Sequence, residues 1–217
     1  MLRINSNFVS FALFFISMFI CSSSFGQLDK GTFIINESFT FDTDNTEYNI
    51  DDYSSDNKSI RYNSTTLFGY VFKENQEVGI LLSLEMQKHL RETSFQDNTT
   101  KEERITKGYG IGVYYKKYIR IMEKLSFFVS PQLDYLKRNS KTEDERSNPQ
   151  ISESNSHKLG ANIYTGLLYH PTKRFGLSMN LIGTGINYYS TREANRKDNS
   201  LNTYSIASPN LGIQFMF

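Results

Sequence analysis

Apolar and polar positions alternate along most of this chain with a period of two. The pattern is plainest over residues 77–90. There Val78, Ile80, Leu82, Leu84 and Met86 fall on one face and Gly79, Ser83, Glu85 and Gln87 on the other. Successive side chains of a strand point to opposite faces, so the segment predicts a strand with one apolar side. A helix fits less well, because the apolar set would circle it rather than form a stripe.

Seven further segments carry the same signal: 31–42, 58–70, 104–118, 124–138, 156–170, 174–189 and 202–217. Their apolar faces are set by residues such as Phe33, Ile35, Phe39 and Phe41; Ile60, Tyr62, Phe68 and Tyr70; and Tyr109, Ile111, Val113 and Tyr115. Later segments show Leu125, Phe127, Val129, Leu133 and Tyr135; Leu159, Ala161, Ile163, Leu167 and Tyr169; and Phe175, Leu177, Met179 and Leu181, with Ser178, Asn180 and Thr184 opposite. Glu37 breaks the first apolar face, which predicts either a bulge or a position at a membrane boundary. Pro131 predicts a bulge or a missing ladder bond.

The connections alternate in length. Polar stretches over 43–57, 91–103, 139–155 and 190–201 read as long loops, and 73–75, 119–123 and 171–173 as short turns. An up-and-down membrane barrel has short periplasmic turns and longer outer loops. An export signal places the first connection outside, and the order long, short, long matches that requirement. The fold class expected is therefore all-β: an eight-stranded antiparallel up-and-down transmembrane β-barrel. A soluble lipocalin-like barrel is the rival, but it would turn its apolar faces inward. Tyr70, Tyr118, Tyr169, Phe175 and Phe217 are expected in a periplasmic aromatic girdle, and Tyr62, Tyr135, Tyr188 and Tyr204 in an outer one.

Composition permits this. The 217 residues include 22% charged side chains, and mean hydropathy is −0.47. Beyond the N-terminus no run approaches the ~20 apolar residues of a membrane helix, whereas alternating strands average their two faces. Residues 1–26 read as a secretory signal peptide, with Arg3, an apolar core over 8–20 and a small-residue exit before cleavage after Gly26; residues 27–217 form the barrel domain. Cys21, the chain's one cysteine, lacks the small residue expected just before a lipidated position. Without Arg3 the 24 Lys and Arg become 23, against 23 Asp and Glu, so charge gives no argument for nucleic acid.

The last stretch alternates Leu211, Ile213, Phe215 and Phe217 with Gly212, Gln214 and Met216, and it ends on an aromatic. This resembles the C-terminal signal by which bacterial outer-membrane barrels meet their assembly machinery. With the leader, the strand count and the loop alternation, the chain from about Leu28 to Phe217 resembles the small eight-stranded outer-membrane β-barrel family of Gram-negative envelopes. The resemblance implies an outer-membrane location, lipid and the assembly machinery as partners, a monomer and no cofactor. Family members include adhesins, envelope anchors, narrow channels and a few lipid-modifying enzymes, so fold does not fix function. The expected role is structural or surface-interactive, carried by the four outer loops.

An eight-stranded interior is about wide enough to be filled by side chains. Arg61, Glu85, Lys116, Asp134 and Lys158 are the inward candidates, and buried charges must pair. An ion path through them is the channel alternative. A lipid-modifying enzyme would need a rim serine beside a histidine, with His89 near Ser94 or His157 between Ser154 and Ser156 as candidates, while His170 lies at the opposite end. The glycines of the GYGIGVYY run alternate instead of forming a turn, which points to room for neighbouring side chains rather than a phosphate loop. No HxH or HExxH spacing supports a metal, and Asp44, Glu47, Asp51, Asp52 and Asp56 match no calcium loop.

Overall fold

A computed structural model describes residues 28–50, 53–95, 98–144, 150–193, 196–207 and 209–217. The expected signal peptide, Cys21, Asp51 and Asp52 lie outside them. Nine ladder segments form one antiparallel sheet: β1 (Phe33–Ile50), β2 (Tyr53–Lys73), β3 (Gln76–Phe95), β4 (Asn98–Met122), β5 (Leu125–Asp144), β6 (Gln150–Tyr169), β7 (Phe175–Glu193), β8 (Arg196–Ile206) and β9 (Asn210–Met216). Consecutive strands pair from β1 through β8, and β9 pairs with both β7 and β1, so the sheet closes. β8 and β9 act as one strand interrupted between Ile206 and Asn210, which leaves eight around the ring. Pro209 has no N–H to donate there.

The apolar positions face outward. Leu84, Ile111 and Leu159 are 53%, 56% and 60% exposed, and Ile80, Val113, Leu133, Ile163 and Ile186 are exposed with them. A soluble barrel would bury this set; here it forms a belt around the outside. At ~3.3 Å per residue and a tilt of ~40°, a strand climbs about 2.5 Å per residue, so a ~25 Å belt takes about ten residues. On β1 these are residues 33–42, after which the outward positions turn polar at Thr43, Asn45 and Glu47.

The long loops are corrected by the structure. Residues 43–57, 91–103, 139–155 and 190–201 mostly continue the strands as four paired hairpins, with register running unbroken from Phe33↔Tyr70 to Ile50↔Tyr53 and from Leu81↔Gly112 to Phe95↔Asn98. β4 alone has 25 residues, about 60 Å of climb, so the hairpins stand well beyond the belt. Cross-strand pairs dress them, including Lys88–Glu103 at 2.8 Å and Lys101–Glu92 at 3.3 Å. These pairs are exposed and contribute little each.

Three local expectations resolve further. No bulge forms at Glu37, where the register is continuous. At Pro131 the ladder between β4 and β5 skips two pairs, from Tyr114↔Gln132 to Lys117↔Val129, without a shift. On β7 the register shifts beside Leu181, so the facing expected there inverts above it: Ile182, Thr184 and Ile186 point outward and Asn187 inward.

Candidate functional site: the barrel interior

The inward positions build two zones, a plug at the base and a polar vestibule above it. The plug begins with an apolar cluster of Leu28, Ile34, Val71, Tyr118, Phe128, Leu168 and Met216. The segment before β1 tucks under the barrel, with Gly31 N–H donating to Val71 O at 2.8 Å and Asn75 N–H to Leu28 O at 3.2 Å. Gly31 has φ +98°, which a Cβ would strain.

Glu77 is fully buried above this cluster. Its two carboxylate oxygens accept from the Tyr114 and Tyr118 hydroxyls. Lys116, 3% exposed, is its direct cross-strand partner. Among the described residues no ion pair joins the two. The Lys116 ammonium instead lies 5.5, 5.8 and 5.0 Å from the ring centres of Tyr114, Tyr118 and Phe128. Opposite charges at adjacent interior positions compensate each other, and each has its own ring or hydroxyl partners. A Cβ at Gly69 would run into the Glu77 carboxylate, so that glycine makes the room. Asn36 completes the layer, donating to Ser178 Oγ at 3.0 Å and to Gln214 Oε1 at 3.3 Å.

Above the plug, a cavity of about 130 Å³ is lined by Asn36, Ser38, Lys116, Ser178, Asn180 and Asn210 among others. It leads toward a vestibule of about 660 Å³ lined by Arg61, Asn63, Glu85, Gln87, Arg138 and Lys158. Arg138 Nε donates to Glu85 Oε2 at 2.7 Å, and Lys158 Nζ lies 2.7 Å from Asp134 Oδ2. Asn162 also donates to Asp134 and accepts from the Tyr204 hydroxyl at 3.0 Å. Gly108 sits where a side chain would crowd Glu85 and Arg138. Among the described residues Arg61 has no ion-pair partner, which leaves a cation facing the vestibule.

All five charged residues singled out from sequence therefore line the interior. Their counterparts Glu77 and Arg138 escaped notice, although both share the inward parity of their strands. Two girdle tyrosines are corrected by that parity. Tyr118 is buried in the plug, and Tyr204 points inward to Asn162 and Tyr164. Glu37 does face outward within the belt, where the Ser64 and Thr66 hydroxyls donate to its carboxylate.

Among the described residues no histidine is hydrogen-bonded to a serine, although Ser190 lies across the ladder from His157. His157 lies on the outer face, stacked on Tyr135 with its Nδ1 2.6 Å from the phenol oxygen. His89 faces inward opposite Ser59 and Arg104. His170 follows β6 in the base turn, where burial lowers its pKa to about 4. Leu211, Ile213, Phe215 and Phe217 all point outward from the closing strand.

No protein-family model matches the sequence, and no curated protein sequence does. Among solved structures the chain is similar to neisserial surface protein A, at 13% identity over 88% of this chain and 99% of that one, with a TM-score of 0.40. It is similar to Ail, the attachment invasion locus protein of Yersinia pestis, at 14% identity over 87% and 100% of the two chains and a TM-score of 0.40. A major outer membrane protein from Thermus thermophilus matches at 11% identity over 87% and 100%, with a TM-score of 0.44. The closed strand pairing itself gives the class: an all-β, eight-stranded antiparallel barrel of up-and-down topology.

Proposed function

We propose that this protein is a monomeric outer-membrane barrel with a structural or surface-interaction role. The inside-out distribution of its side chains carries the reading. An apolar belt of about ten residues per strand surrounds a polar, charge-paired interior, an arrangement suited to lipid outside and water within. The four hairpins beyond the belt present polar β-ribbons to the exterior, and they are the parts that would meet a partner. The closing strand would meet the assembly machinery through Leu211, Ile213, Phe215 and Phe217. The plug argues against a passive channel, because the base is filled by the Glu77 cluster and the apolar layer beneath it. Ser59 lies across the ladder from His89 and Ser190 from His157, but among the described residues neither pair is hydrogen-bonded and Tyr135 holds the His157 Nδ1, which argues against a Ser–His hydrolase.

Gel mobility of the mature protein from envelope fractions, with and without boiling in SDS, tests this. An unboiled band that migrates differently, in the outer-membrane fraction, is expected. A soluble periplasmic protein with no such shift would overturn the reading.

A further inference from the structure

Two lysines stand on the outer face of the barrel at the upper margin of its apolar belt. Lys107 of β4 lies one outward position above Tyr109, and Lys137 of β5 one outward position above Tyr135. Register makes the lysines diagonal neighbours, because Tyr109 pairs with Lys137 and Lys107 with Asn139. Such positions are about 7–8 Å apart. The two-residue stagger offsets the climb that strand tilt gives to each rung, so the two lysines lie at nearly one height. At ~2.5 Å of climb per residue, that height is about 5 Å above the tyrosines.

No acid adjoins this pair. The outward positions flanking Lys107 are Leu84, Met86 and Lys88 on β3 and Lys137, Asn139 and Lys141 on β5. Those flanking Lys137 are Lys107, Tyr109 and Ile111 on β4 and Asn155, His157 and Leu159 on β6. None of them is a carboxylate. The neighbouring lysines are matched, Lys88 with Glu103 at 2.8 Å and Lys141 with Glu143 at 2.5 Å. Lys107 and Lys137 are exposed, and among the described residues neither has an ion-pair partner. Two like charges this close repel, and an anion from outside relieves both. Beneath them Ile111, Leu133 and Leu159 continue the belt downward, and Tyr135 is fixed by stacking on His157.

We propose that Lys107 and Lys137 bind the phosphate head of a lipid in the outer leaflet, whose acyl chains lie along Ile111, Leu133 and Leu159. Two uncompensated cations at headgroup height match the charge of a phosphate, and the Asn139 amide supplies a donor beside them. The apolar strip directly below matches the chains and runs into the belt without a break. A free phosphate would meet the lysines but make no use of the strip. The proposal rests on the membrane reading above.

The test uses mature protein refolded from urea into a nonionic detergent, with dimyristoyl phosphatidic acid as probe and native mass spectrometry as readout. Gel mobility before boiling is checked on every sample. A parent protein without a mobility shift would remove the membrane reading itself, and the proposal with it. With the barrel folded, one phosphatidic acid per monomer is expected. Dimyristoyl glycerol has the same chains without the phosphate, and glycerol phosphate the same head without chains. Each should bind at least about tenfold more weakly. Lys107→Gln and Lys137→Gln should each weaken phosphatidic acid about fivefold, the effect of one basic side chain near an anionic lipid, while Lys141→Gln changes it less than about twofold. Folded Lys107→Gln and Lys137→Gln proteins that bind as the parent does would place the lipid elsewhere on the belt and overturn the proposal. Equal losses in all three variants would mean diffuse attraction to net charge, with the same result. Equal binding of glycerol phosphate would leave a site for a free anion and overturn the lipid.

Discussion

Replacing Glu77 by leucine should be among the most damaging single changes in the barrel. The carboxylate is fully buried, accepts from Tyr114 and Tyr118 and sits across the ladder from Lys116. Leucine leaves two hydroxyls without an acceptor and an ammonium without a compensating charge. Removing one member of a buried charge pair costs about 3–5 kcal/mol, largely through the group left behind. Glutamine keeps one acceptor oxygen and should cost about 1–3 kcal/mol. The double change Glu77→Leu with Lys116→Met removes both charges and should recover most of the loss, giving a coupling of at least about 1 kcal/mol. Urea titration in lipid vesicles, followed by circular dichroism and gel mobility, measures the parent, Glu77→Leu, Glu77→Gln, Lys116→Met and the double variant. A loss below about 1 kcal/mol for Glu77→Leu, or strict additivity in the double variant, would refute the plug as described.

Leu82→Arg, at the middle of the outward apolar side of β3, should cost ~2–4 kcal/mol and impair insertion if that side meets lipid, while Ser83→Arg one residue along meets only interior crowding. Insertion blocked by Ser83→Arg but not by Leu82→Arg would invert the facing. Gly69→Val should disrupt the Glu77–Tyr114 contact and lower the urea midpoint, whereas a midpoint equal to the parent's would mean the plug does not need that space. His170 should make stability fall in acid. Its folded pKa of about 4 lies below the usual 6.5, so the unfolded chain takes the proton first. The contribution is complete above about pH 6.5, declines as pH drops toward about 4, and amounts to at most about 3 kcal/mol. His170→Phe should remove that part of the fall in urea midpoint between about pH 7.5, above the titration range, and about pH 4.5, near its foot. An unchanged slope would assign it to other groups.

Much of this architecture was visible in the sequence wherever one strand face is apolar and the other polar. The contrast of Leu82 with Ser83, or of Ile111 with Gly110, survives without any tertiary information. The signal vanished where both faces are wet. The polar runs over 43–57 and 139–155 carry no contrast between faces, so they looked like loops although their backbones mostly stay paired. It also failed at Leu181, because the run from Leu177 to Ile186 offers apolar residues at both parities around the shift. Tyr118 and Tyr204 were misplaced by their closeness to strand ends, whereas the parity they share with Lys116 and Asn202 points inward. Which charges pair across strands depends on register, and that lies beyond the pattern of any one strand. Asp134 with Lys158 emerges only when β5 is set against β6, and Glu85 with Arg138 only when β3 and β5 are both set against Gly108 of β4.

The belt facing lipid is the central claim, and the absence of tryptophan from the chain allows a clean probe of it. Single tryptophans at Leu82, Ser83, Leu84 and Glu85, in protein refolded into vesicles of brominated phospholipid, report directly on which side meets the acyl chains. Strong quenching for Leu82→Trp and Leu84→Trp, with little for Ser83→Trp and Glu85→Trp, is the predicted alternation. Quenching of the inward pair instead, or of none of the four, would contradict a barrel that turns its apolar face to the membrane.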